Sequence, residues 1–254
     1  MKRPWPWILV GLAAYLIFVI ATFPASSAYR WFAPPSVVLV APSGSIWSGQ
    51  AVAGAVSGFS LAEPKWNISP WQLALLRLGG TLEARVADGF AGTAFSVSPG
   101  GRVRLSDTRF SAGIQALANA LPVFDSRGQI SINLSRLVLE DNWPTEAAGE
   151  IRVGNLEVAP LLPTASGAHI VLGNFQADLA TSESDEIVGN LSDAGGPLEI
   201  AGTISLRPDR SYLLDALVRP RPDASPELRQ GIELMSGPPE DSSGMRELQL
   251  SGSF

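Results

Sequence analysis

Residues 128–158 read GQISINLSRLVLEDNWPTEAAGEIRVGNLEV, and their apolar side chains recur at every second position, the spacing of strands with one greasy face. Ile130, Ile132 and Leu134 occupy even positions, whereas Leu137 and Leu139 are odd; Ile151 and Val153 are odd, whereas Leu156 and Val158 are even. A change of parity turns the apolar face over unless an extra residue restores it, so the pattern predicts bulges at Ser135-Arg136 and at Gly154-Asn155. Between the two runs, Asp141-Asn142 marks a turn.

The same signature extends outward in both directions. A glycine, a polar residue and then alternating apolar residues appear as GTLEA from Gly80, GRVRL from Gly101, GQISI from Gly128, GEIRV from Gly149, GNFQA from Gly173 and GTISL from Gly202. Their spacing is too irregular for a solenoid. It predicts a curved, mostly antiparallel meander in which each glycine turns the corner into a new strand. Further strands are expected at 170–179, 186–191, 198–206 and 212–218, with a last one carrying Leu248, Leu250, Gly252 and Phe254. Three short helices interrupt the pattern. Ser69 as N-cap, Pro70 at the first position and Gln72 open one that ends at Gly79-Gly80, with Trp71, Leu75 and Leu78 on one face. Residues 111–121 give a second, stopped by Pro122, and Ser225-Pro226 opens a third carrying Leu228, Ile232 and Met235. Residues 182–186 and 238–244 lack apolar anchors and are expected as exposed loops. The fold class is therefore mainly β.

Ahead of this body, residues 4–24 (PWPWILVGLAAYLIFVIATFP) carry only the Tyr15 hydroxyl and Thr22 as polar side chains, and a helix of that length reaches the ~30 Å of a bilayer's hydrocarbon core. Lys2 and Arg3 precede it, which predicts an N-terminus in the cytoplasm and the remainder across the membrane. Trp5 and Trp7 at one end, Tyr29 and Trp31 at the other, suit the two aromatic interface belts. A cleaved signal peptide is the rival, with Ser26 and Ala28 as the small residues a peptidase needs. Either way the body is exported. The expected division is a cytoplasmic N-terminus at 1–3, an anchor at 4–24, a spacer at 25–35 stiffened by Pro34-Pro35, and a periplasmic β-rich domain at 36–254.

Composition narrows the function classes. The 254 residues carry a formal charge of −6, which becomes −8 once the +2 of Lys2 and Arg3 is set aside; an acidic body with no Lys/Arg cluster is a poor partner for nucleic acid. Cysteine is absent, which excludes disulfides and thiolate metal sites. With a single histidine, His169, the chain lacks the ligands of a zinc site or a Cys–His dyad, and no nucleophile elbow, phosphate loop or dinucleotide fingerprint occurs. Glu140-Asp141 and Asp185-Glu186 offer paired carboxylates, but in turn contexts that read as solvated charge. No catalytic residue, cofactor or metal is expected.

One stretch remains: Gly44-Ser45-Ile46-Trp47-Ser48-Gly49-Gln50-Ala51, with a large aromatic between glycines, running into Val52, Gly54, Val56 and Gly58. Trp47 is expected to cover that bare face, and Trp66 and Trp71 to pack in the core. With Trp66-Asn67-Ile68-Ser69-Pro70-Trp71-Gln72-Leu73 behind it, the chain resembles protein N of the type II (general) secretion pathway. That family has a short cytoplasmic N-terminus, one anchor, a G-[ST]-[LI]-W-x-G-x-A segment and a W-x-[LI]-x-P-x-x-L-L segment. Gly44, Ile46, Trp47, Gly49, Ala51, Trp66, Ile68 and Pro70 match it. Leu73 and Leu75-Leu76 straddle the leucine pair. The resemblance implies a non-enzymatic inner-membrane component that assists export of folded proteins through contacts with other secretion components, with these eight residues structural or partner-binding. Curved strands with one apolar face also resemble the groove-forming sheets of AsmA-like proteins, whose implied ligand is lipid.

Overall fold

A computed structural model of the chain describes residues 5–33, 37–56, 59–73, 76–117, 125–159, 169–237, 239 and 244–253. Two helices lead: α1, Trp5–Ala21, and α2, Ala25–Phe32. The strands are β1 (Val37–Val40), β2 (Ser43–Gly44), β3 (Ser48–Gln50), β4 (Ala53–Val56), β5 (Phe59–Ile68), β6 (Leu78–Val86), β7 (Gly89–Val97), β8 (Val103–Gly113), β9 (Arg127–Glu140), β10 (Trp143–Val158), β11 (Ile170–Thr181), β12 (Ile187–Asp193), β13 (Leu198–Leu206), β14 (Ser211–Pro220) and β15 (Arg246–Ser253). Helix α3 (Pro70–Leu73) joins β5 to β6, and α4 (Pro226–Met235) joins β14 to β15; Ile114–Leu117 is a single 3-10 turn.

From β4 to β15 each strand pairs antiparallel with the next, β1 lies beyond β4, and the β2–β3 hairpin joins through β5. The expected meander is what the backbone forms. Its register keeps the two faces chemically separate. One row of cross-strand partners runs Ala84, Ala91, Phe110, Ile132, Ile151, Ala177, Leu191, Gly202, Ala216, Leu248, all apolar. The neighbouring row on the other face runs Arg109, Asn133, Glu150, Asp178, Asn190, Thr203, Asp215, Gln249, all polar. Period-two alternation in the sequence has become a one-sided sheet.

Both predicted bulges are present. The β9–β10 register shifts between Ala148 and Gly149, opposite Ser135, and both ladders of β10 shift between Val153 or Gly154 and the residues after Asn155. Gly149 adopts φ +143, and a Cβ there would lie 2.6 Å from Leu134 Cα, so this corner accepts only glycine. A sheet this wide cannot stay flat. The Trp143 indole donates to the Arg207 carbonyl (3.1 Å) and Arg210 to the Asp141 carbonyl (3.2 Å). In a flat sheet β10 and β13 stand about 14 Å apart, so these turn-to-turn bonds require the sheet to curl.

Helix α4 begins as expected, with Ser225 Oγ accepting from Leu228 N at 3.2 Å. It buries Leu228 and Ile232 on the apolar face beside Ile170, Ile200, Ala216 and Val218. At roughly 1.5–3 kcal/mol per buried aliphatic side chain, this cluster is the main store of apolar burial at that end.

Other expectations change. The helix expected to run to Gly79 ends at Leu73, because Leu76 takes φ +55 and Leu78 already belongs to β6. Residues 111–113 continue β8, leaving one 3-10 turn where a second helix was expected; residues 118–124 lie outside the described part. Residues 25–32 of the expected spacer form α2; Pro34-Pro35 lies outside the described residues. Helix α1 has 17 residues rather than the 21 expected, and no helix among the described residues is long and apolar enough to cross a membrane. The side chains of Trp5 and Trp7 lie outside the described set.

Candidate functional site

Of the eight motif residues, Ile46 and Trp47 reach the chain at the end of α1, and Gly44, Gly49, Trp66 and Ile68 lie on the strands beside them. Gly44 pairs with Gly49 in the β2–β3 hairpin, whose tip is tied by Ser45: its hydroxyl accepts from Trp47 N (3.3 Å) and Ser48 N (3.1 Å). This leaves Ile46 and Trp47 projecting toward the N-terminal helices. Ile46 N donates to the Phe23 carbonyl at 3.0 Å, and the Trp47 indole donates to the Ile20 carbonyl at 2.8 Å. The last turn of any helix leaves carbonyls short of helical partners; here Trp47 serves the Ile20 carbonyl, and Ile46 holds Phe23 just beyond the helix.

The second motif segment lies on the strand beside the first. Trp66 faces Gly49 across the β3–β5 ladder, its indole donates to the Ser45 carbonyl at 3.2 Å, and a Cβ on Gly49 would sit 2.7 Å from Trp66 Cε2. Trp66 thus covers Gly49, while at Gly54, on the face that Trp47 was expected to cover, the nearest side chains are Leu39 and Pro64, which corrects that expectation. Half-buried Trp47 instead reaches back to α1, and its carbonyl accepts from Ile68 N at 2.6 Å. Ala51 is buried, its N–H held by the Pro64 carbonyl at 2.9 Å, and Ile68 is half-buried. Pro70 starts α3 and is exposed. Trp71 is 83 % exposed, against the expectation that it packs in the core.

Helix α2 completes the junction. The Tyr29 hydroxyl donates to the Val37 carbonyl (3.4 Å) and accepts from Leu39 N (3.0 Å), which fastens α2 along the outer edge of β1.

The carboxylate pairs singled out in the sequence lie elsewhere, and the glutamate of each is paired with an arginine: Glu140 with Arg102 at 2.6 Å, Glu186 with Arg207 at 3.2 Å. His169 lies 3.4 Å from Asp125 Oδ2. Among the described residues no three His, Cys, Asp or Glu side chains gather where they would hold a metal ion. Asp209, in the β13–β14 turn, is held below its ordinary range chiefly by the Ser211 hydroxyl and then by the Ser211 N–H, whose bonds to Oδ1 are 2.6 and 2.9 Å.

The fold is a one-sided antiparallel meander joined to an apolar N-terminal helix through Ile46 and Trp47. Residues 35–249 match the family model for protein N of the type II secretion system, and the chain belongs to that family. It is 24% identical to the type II secretion system protein N of Aeromonas hydrophila, with 95% of each chain covered. No solved structure matches.

Proposed function

We propose that this chain is a component of the type II secretion system that sits in the inner membrane through α1, holds its sheet in the periplasm and acts by contact with other inner-membrane secretion components rather than by catalysis. The observation that carries the reading is α1 itself: Val10, Leu12, Phe18 and Ile20 are each more than half exposed to solvent, an arrangement that suits lipid and is costly in water. At about 1.5 Å per residue, its 17 residues reach about 25 Å, and a bilayer accommodates such a shortfall by local thinning. Attachment of Trp47 and Ile46 at the end of α1 then explains why the motif sits where it does: it fixes the sheet to its anchor. The motif residues are structural in this reading, and the partner-binding surface lies beyond them.

Family membership gives the lipid-handling alternative no support, and α4 packs on the apolar face where a lipid groove would run. The test is deletion and complementation. Loss of the protein should leave type II substrates in the periplasm, the full chain should restore their export, and pull-down from native membranes should recover other secretion-system components. Normal export without it would refute the role.

A further inference from the structure

The two edges of the sheet are treated differently. Along β1, Tyr29 occupies the outward groups of Val37 and Leu39. Along β15, β14 is the sole strand partner among the described residues, and Pro239 bridges the outer side of Arg246 at its first residue. The Glu247 carbonyl turns away from β14 to accept from Gly237 N at 3.3 Å. Main-chain groups of an antiparallel strand alternate sides, so those of Gln249, Ser251 and Ser253 also point outward. None of them has a main-chain partner among the described residues. Sheet proteins guard such an edge with lysine, proline or a bulge. The run Leu248-Gln249-Leu250-Ser251-Gly252-Ser253 has no charge and no proline, and the β14–β15 register is unbroken. Leu250, on the apolar face, is left 42 % exposed.

We infer that a second copy of this chain pairs along this edge, β15 against β15, antiparallel about a two-fold axis through Leu250. In that register Leu250 meets the partner's Leu250, Leu248 meets the partner's Gly252, and Gln249 exchanges main-chain hydrogen bonds with the partner's Ser251. A two-fold axis sets any charge near its centre against its own copy, and this run has none there. The pairing spans Leu248–Gly252 and stops short of Glu247, the nearest acid, whose outward carbonyl is already held by Gly237 N beside the Pro239–Arg246 bridge. The apolar and polar rows then continue unbroken into the second sheet. Tyr29 holds the other edge, so addition closes at two copies and does not propagate.

The test uses the full chain in detergent or nanodiscs, where Leu250→Cys supplies the sole thiol because cysteine is otherwise absent. Non-hydrogen-bonded partners stand about 4.5 Å apart at Cα, within disulfide reach. Mild oxidation should therefore give a covalent dimer, while Val38→Cys on the opposite edge should stay monomeric. Ser251→Pro removes one outward N–H and leaves the β14 ladder intact. It should halve the mass seen by light scattering at unchanged β circular dichroism. A well-folded Leu250→Cys chain that stays monomeric, one that links instead to a different membrane protein, or a Ser251→Pro chain that keeps the dimer mass would each overturn the pairing.

Discussion

The Trp66 indole lies so close to Gly49 that any side chain at 49 would have to displace it. Gly49→Ala should therefore cost about 1–3 kcal/mol, the range for overfilling a packed site, and loosen the Trp66–Ser45 hydrogen bond. Urea denaturation of the purified chain reads this directly; an unchanged midpoint would mean that the ring is free to move aside.

Trp47 makes a different contribution, because its indole N–H serves the Ile20 carbonyl 27 residues earlier in the chain. Trp47→Phe keeps most of the ring and removes the donor, at a cost of about 1–2 kcal/mol. The loss should be local: amide exchange should rise at residues 20–24 while the β10–β14 ladder keeps its protection. Equal loss across the whole sheet would contradict a clamp.

Trp71 and Trp66 stand five residues apart and should respond in opposite ways. With Trp71 83 % exposed, Trp71→Ala should change stability by less than about 0.5 kcal/mol. Trp66→Ala leaves Gly49 uncovered and should cost about 3 kcal/mol. A large effect at Trp71 in the isolated protein would show that α3 packs on something.

Asp209 supplies a pH-dependent test. Its carboxyl titrates below its ordinary value of 3.8 because Ser211 donates to it. A depressed folded-state pKa means that the contribution is present above that ordinary value and is lost as pH falls through the folded one. Ser211→Ala removes the hydroxyl bond, so the Asp209 carboxyl signal in an NMR titration should move upward; an unmoved titration would contradict the assignment.

The β architecture was legible because each element announces itself locally. Parity changes at Ser135 and Asn155 require bulges whatever the rest of the chain does, and Ser225-Pro226 carries its own cap. What stayed hidden is set by partners far along the chain. Gly49 shows that some ring must lie close, yet only the β3–β5 register decides between Trp47 and Trp66. The spacing of Trp71, Leu75 and Leu78 looks helical, yet Leu78 is claimed by its pairing with Val97 in β7. The bulge at Asp107, with φ +50, passed unnoticed because Thr108 interrupts the apolar count. Helix α2 stays hidden because Ala25–Phe32, directly ahead of Pro34-Pro35, reads as a linker. The motif residues were found by resemblance; that Ile46 and Trp47 reach back to the end of α1 needed the fold.

Placement of the sheet across the inner membrane from the N-terminus is tested most directly by thiol labelling. A single cysteine at Ser184, in the exposed β11–β12 loop, should react with a membrane-impermeant maleimide added to cells with a permeabilised outer membrane, whereas one at Lys2 should react only after lysis. Labelling of Lys2→Cys in intact inner-membrane vesicles of periplasmic orientation, or protection of Ser184→Cys until lysis, would contradict the account.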